Sequence, residues 1–361
     1  MPPTQSRIGR ATVALLGTLT LLSLARPAAA HVDYVTDNPP EAGVEFTIEV
    51  LTEPANALLF GGTGLVAVAA VAGYLWARPS IPDFQVLRSA LAEYLTYVPW
   101  MLRLSLGLPL IGAGFASPTY LFSPAVEVPL RLLQIGLGFF LLFGLATRVV
   151  ASVGLIAYLV SLAFYPRVIL ALEYVPGFLA IALLGGGRPS ADHLLSRLAG
   201  ARGTYYSRVD PVHALAKRVQ ARIDPYTEYV PTVLRVGLGA TFVLLGLGEK
   251  LLNPGPGLAV VDQYNLTTLV PVDPGVWVVG AGLAEVAFGV ALLIGLLTRA
   301  TAAGAFVLFT LTLFGLPNDP VLAHITMFGI ASAVFTLGAG PFSIDAYRAR
   351  DTDERVFGVP A

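Results

Sequence analysis

Four ionisable residues in the last third of the chain have types and positions that could support chemistry inside a membrane. Glu285 lies within the apolar stretch 275–299, which can cross a bilayer because a span needs about 20 apolar residues. Glu249 and Lys250 end the preceding apolar stretch, and His324 lies near the start of the last one. A carboxylate at membrane depth is unstable unless it is protonated or paired, so we interpret Glu285 as functional. The alternative is a protonated glutamate that only bonds a neighbouring helix.

Such a cluster suits proton-coupled chemistry beside an apolar slot. A carboxylate and an imidazole can hydrogen-bond two carbonyl oxygens and exchange protons as these oxygens are reduced to hydroxyls. Quinone fits this description, so we expect quinone as the ligand and no covalently bound cofactor. Glu285, His324 and Lys250 are the predicted catalytic residues. Glu249 and Tyr264 are predicted to bind the substrate, with Tyr264 in a long loop that could form a lid.

The composition indicates a membrane protein. Of the 361 residues, 55% are hydrophobic and only 12% are charged, whereas soluble domains carry about 25% charged residues. The apolar runs do not alternate with polar residues, as the strands of a membrane barrel would. We therefore predict an all-α polytopic protein in the lipid bilayer of the plasma membrane.

The rarer residue types exclude several other functions. The chain has no cysteine, which excludes disulfides, thiolate metal sites and dithiol redox chemistry. It has no histidine pair with metal-ligand spacing, so no metal site is predicted. The net charge of −1 gives no field that would attract nucleic acid. Electrons would have to come from the substrate or from a partner redox protein.

The N-terminal part is predicted to lead the chain into the membrane. Residues 1–30 have the basic start, apolar core and small-residue cleavage site of a signal peptide, with an uncleaved first helix as the alternative. Cleavage would expose His31, which could chelate copper, although a residue that merely follows the cut is the simpler interpretation. Residues 31–54 are predicted to be an extracytoplasmic segment with a strand at 44–51. Residues 55–77 form the first predicted transmembrane helix.

After residue 96 the chain repeats a set of landmarks in the same order. We predict two tandem four-helix transmembrane repeats, at 97–195 and 229–347, joined by a basic connector at 196–228 and followed by a tail at 348–361. With the first transmembrane helix, this gives nine spans. The matching landmarks are Tyr97-Val98-Pro99 and Tyr229-Val230-Pro231, Arg103 and Arg235, Thr147-Arg148 and Thr298-Arg299, and Ser190-x-Asp192 and Ser343-x-Asp345.

The two repeats differ at the positions that could carry chemistry. Gln134 falls where Glu285 falls, and the first repeat has no histidine in its spans, so we predict it to be a packing partner. Arg103 and Arg235 lie near helix starts. We expect their long side chains to extend to the membrane surface, and we do not expect these positions to belong to a site.

Basic residues predict the orientation. Arginine and lysine are concentrated in the connector, in the turns at Arg148 and Arg299, and in the tail. The positive-inside rule places these segments in the cytoplasm and the mature N-terminus outside. A cleaved signal that exports residue 31 predicts the same orientation.

The second repeat resembles the DoxX family of small four-helix membrane proteins, and the first repeat resembles it more weakly. The resemblance implies one four-helix bundle per repeat, and the family pattern adds Arg235 and Arg299 to the predicted substrate-binding residues. The motifs that carry it are Leu234-Arg235, Gly239, Gly246, Lys250, Glu285, Gly289, Gly295, Thr298-Arg299 and Gly340-Pro341-x-Ser343-x-Asp345.

The family suggests a function in electron transfer. Members include a subunit of a terminal quinol oxidase, and the related DoxD type belongs to a thiosulfate:quinone oxidoreductase. The resemblance therefore implies a membrane subunit that serves quinone-linked electron transfer or redox homeostasis. Two alternatives stay open. Parallel repeats with an acid near the midplane also suit a proton-coupled transporter or small-molecule binder. A non-catalytic scaffold would use its polar side chains only to join helices.

Overall fold

A computed structural model describes six ranges of the chain, and all regular secondary structure within them is helical. The prediction of an all-α polytopic membrane protein is therefore confirmed. The predicted signal peptide, His31 and most of the C-terminal tail lie outside the described residues. The described ranges are 40–77, 81–116, 128–201, 203–209, 212–315 and 321–349.

The helices are numbered in chain order, and we call residues 97–195 the first half and residues 229–347 the second half. The chain begins with α1 (Val44–Thr52), α2 (Pro54–Ala77) and α3 (Pro82–Glu93). The first half contains α4 (Val98–Ala116), α5 (Val128–Phe143), α6 (Thr147–Phe164) and α7 (Tyr174–Leu184). The link between the halves contains α8 (Ala191–Gly200), α9 (Tyr205–Val209) and α10 (Val212–Ile223). The second half contains α11 (Val230–Leu245), a π-helical turn (Gly246–Leu251), α12 (Gly255–Gln263), α13 (Leu266–Leu269), α14 (Pro274–Ile294), α15 (Thr298–Gly315) and α16 (Val321–Leu337).

Nine helical segments in the described ranges are apolar enough to lie in a membrane. Five are long enough to cross it by length and hydropathy, and four are shorter. The five are Pro54–Ala77, Leu95–Phe115, Thr147–Phe164, His213–Leu251 and Pro274–Ile294, and the four are Val128–Phe143, Tyr174–Leu184, Thr298–Phe314 and His324–Leu337.

The predicted strand at 44–51 is wrong, because the segment forms α1. Its many β-branched residues favour a strand locally. Thr47 and Val50 are buried three residues apart, which places them on one face of a helix. Val50 packs against Val276 and Val279 of α14. Tertiary packing therefore outweighs the local preference.

The two halves pack against each other through their first and last spans. α4 of the first half contacts α16 of the second, and α11 of the second half contacts α7 of the first. Within each half, the first span packs most extensively on the second, α4 on α5 and α11 on α14. A single core of buried apolar side chains runs through both halves, including Leu106, Phe178, Leu238 and Val334.

A buried arginine holds helix ends together in the second half. Arg235 is only 1% exposed, and its guanidinium donates hydrogen bonds to four backbone carbonyls. The carbonyls of Leu292 and Leu293 end α14, and those of Ala339 and Phe342 follow α16. The last carbonyls of a helix have no partner within it, and a bilayer offers no water, so a charged donor satisfies them. The prediction that Arg235 extends to the membrane surface is wrong.

Arg103 makes the matching bonds in the first half. It donates to the carbonyls of Leu141 and Leu142 at the end of α5, and to those of Gly186 and Pro189 after α7. Its side chain is also 1% exposed, so the prediction of a surface anchor is wrong here as well. We call these two sets of bonds the arginine clasps.

A glycine makes room for each arginine clasp. Gly144 and Gly295 follow α5 and α14 in the left-handed conformation, with φ of 67° and 68°. A Cβ would lie 2.6 Å from the Arg103 Cζ at the first position and 3.0 Å from the Arg235 Cζ at the second. Glycine is therefore required both for the backbone conformation and for the close approach.

Two aspartates complete the same ends of the bundle. The Asp192 carboxylate accepts hydrogen bonds from the backbone N–H groups of Ala146 and Thr147, at 2.6 and 2.8 Å, where α6 begins. Asp345 does the same at the start of α15, with the Leu297 N–H at 2.9 Å. A carboxylate at a helix N-terminus satisfies unpaired donors and is stabilised by the helix dipole.

Replacing a clasp arginine should destabilise the whole bundle. In Arg235→Gln, carbonyls at two helix ends lose their donor, and each buried unsatisfied group costs about 1–3 kcal/mol. We expect a melting temperature in detergent several degrees below that of the wild type. Arg235→Lys should recover only part, because an ammonium group lacks the planar fork. The control is Arg218→Gln in the exposed α10. An Arg235→Gln protein as stable as this control would contradict the clasp.

Candidate functional site

The structure joins Lys250 and Glu285 in an ion pair. The Lys250 Nζ lies 2.9 Å from the Glu285 Oε2 and donates a hydrogen bond to it. The two side chains are 26% and 15% exposed, so the pair is partly open to its surroundings. Glu285 lies roughly 16 Å from the start of α14, at a rise of about 1.5 Å per residue. The acid therefore has the kind of partner that its depth in an apolar helix requires.

A wide helical turn carries Lys250 towards α14. In the turn Gly246–Leu251, the Leu252 N–H bonds to the Leu247 carbonyl, five residues earlier, at 2.8 Å. Such a π-turn holds an extra residue, so the side chains that follow it point in a new direction. Turns of this kind occur frequently at functional sites.

Two glycines allow the π-turn to approach α14. A Cβ on Gly282 would lie 3.0 Å from the Lys250 Cβ, and a Cβ on Gly246 would lie 3.1 Å from the Glu285 Cβ. Small residues at crossings of this kind are typical of helix packing in membranes. The close crossing of the two backbones therefore sets the short distance of the ion pair.

Helix α1 covers the crossing on the side where α14 begins. The Thr47 hydroxyl donates a hydrogen bond of 2.7 Å to the Leu251 carbonyl, next to Lys250. The side chains of Phe46 and Val50 fill the space at Gly275, which has no room for a Cβ. A segment far from the second half in sequence therefore completes this side of the site.

Two further predicted residues lie in the π-turn and after α12. Glu249 is 7% exposed and is close enough to Lys250 for an electrostatic interaction. The substrate-binding role of Glu249 stays a prediction. Tyr264 follows α12, and its hydroxyl is buried without a hydrogen-bond partner among the described residues. Such a hydroxyl could bond an incoming polar group, so the substrate-binding role of Tyr264 stays a prediction.

A series of aromatic contacts connects the helix of His324 with that of Glu285. The ring centroids of His324 and Phe309 are 6.4 Å apart. Phe309 stacks on Phe242 at 5.3 Å, and Phe242 contacts Phe288, which follows Glu285 by about one turn, at 6.2 Å. A joint site of His324 and Glu285 stays a prediction. We call the following residues the aromatic cluster: Phe242, Phe288, Phe306, Phe309 and Phe328.

The aromatic cluster is absent from the sequence-based prediction of the site. Its members come from four helices, and phenylalanine is a common residue in apolar spans. The only available signal is the spacing of Phe306 and Phe309, which places both on one face of α15. The convergence of the four helices becomes visible only in the fold.

The structure does not bring Arg235 and Arg299 to the ion pair. Arg235 precedes Lys250 by roughly 22 Å along the helix, at about 1.5 Å per residue. The Arg299 guanidinium donates to the carbonyls of Phe335 and Thr336, near the end of α16, at 3.0 and 3.2 Å. Both arginines satisfy carbonyls at helix ends. This geometry favours a structural role for them over substrate binding.

Gln134 occupies the position of Glu285 in the first half. It is fully buried, and its Nε2 donates a hydrogen bond of 3.0 Å to the Leu110 carbonyl of α4. The neutral amide joins the first two spans of that half, as the ion pair does in the second half. That the first half acts only as a packing partner stays a prediction.

The arrangement around Lys250 can bind an electron-rich oxygen. An ammonium group has three N–H donors, and the described contacts use one of them for Glu285. A carbonyl oxygen beside Lys250 could accept another hydrogen bond from the same group. Glu285 can hold the ammonium in place and, when protonated, can donate a proton.

Neutralising the ion pair on one side or on both should have different effects on stability. Lys250→Met or Glu285→Gln alone leaves one charge without its partner. Breaking a fully buried pair typically lowers the free energy of unfolding by about 3–5 kcal/mol. We expect a smaller loss here, since both groups are partly exposed. The double variant leaves no unpaired charge, and we expect its melting temperature to recover towards that of the wild type. A double variant that is no more stable than the worse single variant would show that the pair is not coupled.

A comparison with protein families assigns the second half. Residues 230–318 match the family model DoxX. The match runs from α11 through α15, so it includes Lys250 and Glu285 but ends before His324. No curated protein and no solved structure matches the chain. The second half of the chain therefore contains a DoxX domain.

Proposed function

We propose that the protein is a membrane subunit that serves quinone-linked electron transfer or redox homeostasis, with its site at Lys250 and Glu285. The observation that carries the proposal is a partly exposed ion pair beside an aromatic cluster within an apolar bundle. The DoxX domain supports a membrane protein of this family. The reaction and the ligand are our inference from the residues that meet at the site.

The residues present fit a quinone. Its flat ring is apolar and could pack against Phe288, which is half-buried, since aromatic pairs stabilise each other by stacking or edge contacts. Its carbonyl oxygens need hydrogen-bond donors, and Lys250 can supply one to the nearer oxygen. When bound, quinone would supply a group that takes up two electrons and two protons.

Each polar side chain has a distinct part in this proposal. Lys250 would donate a hydrogen bond to one carbonyl oxygen and stabilise the negative charge that develops there. Glu285 would hold the ammonium and pass a proton to the reduced oxygen. Glu249 and His324 would return protons to the site, since histidine readily exchanges a proton near neutral pH. The electrons would come from a reduced partner protein or directly from a reduced substrate.

We further propose that the ligand reaches the site from the lipid phase. α1 covers the site where α14 begins, so approach along the helix axis from that end is hindered. Ala284 and Ala287 flank Glu285 and are exposed, which leaves a face of small side chains next to the acid. A ligand dissolved in the bilayer could therefore reach the ion pair between helices.

Quinone binding by the purified full-length protein tests the proposal. We expect Glu285→Gln to bind a short-chain quinone at least about tenfold more weakly. Lys250 then loses the carboxylate that holds it in place, and its charge-assisted hydrogen bond to the quinone, which contributes about 1.5–3 kcal/mol, is weakened. The quinone extracted with the protein and measured by mass spectrometry should fall in parallel. The matched control is Glu93→Gln, at an exposed position of α3. Equal quinone content and affinity in the two variants would exclude Glu285 from the site.

The double variant Lys250→Met/Glu285→Gln separates this proposal from the scaffold alternative. A scaffold needs only a stable crossing, so recovered stability would restore all of its functions. A quinone site needs the charged donor and the acid themselves. We expect the double variant to recover its melting temperature while quinone binding stays weak. A double variant that recovers both its melting temperature and its quinone binding would favour the scaffold alternative.

We also propose that the chain arose by tandem duplication and lies in the plasma membrane with the basic connector and C-terminus in the cytoplasm. The arginine clasps and the two aspartate caps support the duplication, because each uses corresponding residues in the two halves. The distribution of arginine and lysine supports the orientation. The mature N-terminus would then lie outside, on the side of α1 and α12.

The orientation can be tested with single cysteines, because the chain has none of its own. Asp262→Cys in α12 and Arg218→Cys in α10 both place a thiol at an exposed position. In intact cells, a membrane-impermeant thiol reagent should label the first variant and leave the second unlabelled until the cells are opened. The reverse pattern would invert the proposed orientation.

A further inference from the structure

We infer that the two halves are non-identical partners that recognise each other, and that their association does not require an unbroken link between them. The inference rests on the contacts between the halves and does not depend on the proposed function. It predicts that the halves stay together when the link is cut, and that each half selects the other over a copy of itself.

Two helix crossings join the halves, and they use corresponding positions. α4 crosses α16 where Ser105 meets Gly329, and α11 crosses α7 where Gly237 meets Pro176. Ser105 and Gly237 each lie two residues after a clasp arginine. Pro176 and Gly329 each lie nine residues before the left-handed glycine that follows their helix, Gly185 and Gly338 respectively. The same pair of positions therefore forms both crossings.

Both glycines belong to the second half, Gly329 to its last span and Gly237 to its first span. The larger residues that face them, Ser105 and Pro176, both belong to the first half. Neither glycine has room for a Cβ, because the facing Ser105 or Pro176 already occupies the space. At each crossing, a larger residue on one half is accommodated by a glycine on the other.

This pairing of a larger residue with a glycine disfavours contact between identical halves. If two first halves met in the same way, Ser105 would face Pro176, and the side chains would overlap. If two second halves met, Gly237 would face Gly329, and the crossing would leave a gap. Overpacking and cavities both destabilise a packed interface. Only the first half with the second gives a filled crossing on both sides.

Buried hydrogen bonds add specificity to one crossing. The Thr326 hydroxyl donates to the Ser105 carbonyl at 3.0 Å, and the fully buried site excludes water. The Tyr174 hydroxyl is hydrogen-bonded to that of Thr326. The core of apolar side chains is continuous across the same surface. In membranes, packing and such interhelical bonds drive helix association.

The link contributes to this surface at its C-terminal end, where the 3-10 turn Asp224–Tyr229 contacts α7. None of the described residues between 191 and 229 is buried. Asp192 caps α6 and must stay with the first half, whereas the chain around Gly203 and Thr204 is exposed or half-buried and remote from the caps. A cut at this point should leave every contact between the halves intact.

A protease site inserted between Gly203 and Thr204 of the full-length protein tests the inference. After purification and cleavage, fragments 1–203 and 204–361 should still elute together in size-exclusion chromatography. Separation of the fragments on cleavage would overturn the inference. When two cleaved proteins that carry different tags on fragment 1–203 are mixed, each tagged fragment should co-purify with fragment 204–361 and not with the other tagged copy of fragment 1–203. Stable association of the two tagged copies would contradict the selectivity.

Variants at one crossing test its mechanism in the same cleaved protein. Gly329→Ser should release at least about tenfold more free fragment, because overpacking of a tight contact destabilises it. Adding Ser105→Gly exchanges the two residues and should restore association, which a general folding defect would not allow. The matched control is Gly136→Ser, since a Cβ there would meet nothing within 4 Å. An equal effect of Gly329→Ser and Gly136→Ser, or no rescue, would refute the mechanism.

Discussion

The lack of water in a bilayer constrains this fold most strongly, because each helix end inside the bundle must find its own donors or acceptors. The arginine clasps meet this constraint. One guanidinium collects carbonyls from the ends of two helices, and so fixes the second span of each half relative to the last. Gly144 and Gly295 are needed for this approach. The rest of the bundle, including the position of α14, depends on these ends being held.

The candidate site depends on a different requirement. The π-turn must come close to the middle of α14. Gly246 and Gly282 bring the π-turn to α14, and the ion pair forms across that contact. The N-terminal α1, outside the DoxX match, then covers one side. The matched domain therefore contains the ion pair, while α1, outside the match, covers one side of it.

Sequence patterns were sufficient for the helical membrane fold and for the pairing of a deep acid. Apolar runs locate the helices, and the unfavourable burial of a charge requires a partner for Glu285. The arginine clasps could not be predicted, because a sequence does not show that the ends of α14 and α16 meet beside Arg235. The β-branched residues of the helix at 44–52 favour a strand locally, so the sequence predicts a strand there. The buried face of this helix becomes apparent only from its packing against α14. The aromatic cluster was missed for a similar reason, since its rings come from four separate helices.

The π-turn has a mechanical consequence for the ion pair. A helix can exchange a bond that spans five residues for one that spans four without unfolding, and each residue of register turns the following side chains by about 100° around the axis. In α4 the corresponding stretch stays α-helical through Ala116. The Lys250 amine therefore faces Glu285 only in one hydrogen-bond register of α11. A shift of that register would turn the Lys250 side chain away from Glu285, so the ion pair depends on the backbone conformation of the π-turn as well as on the close crossing of the helices.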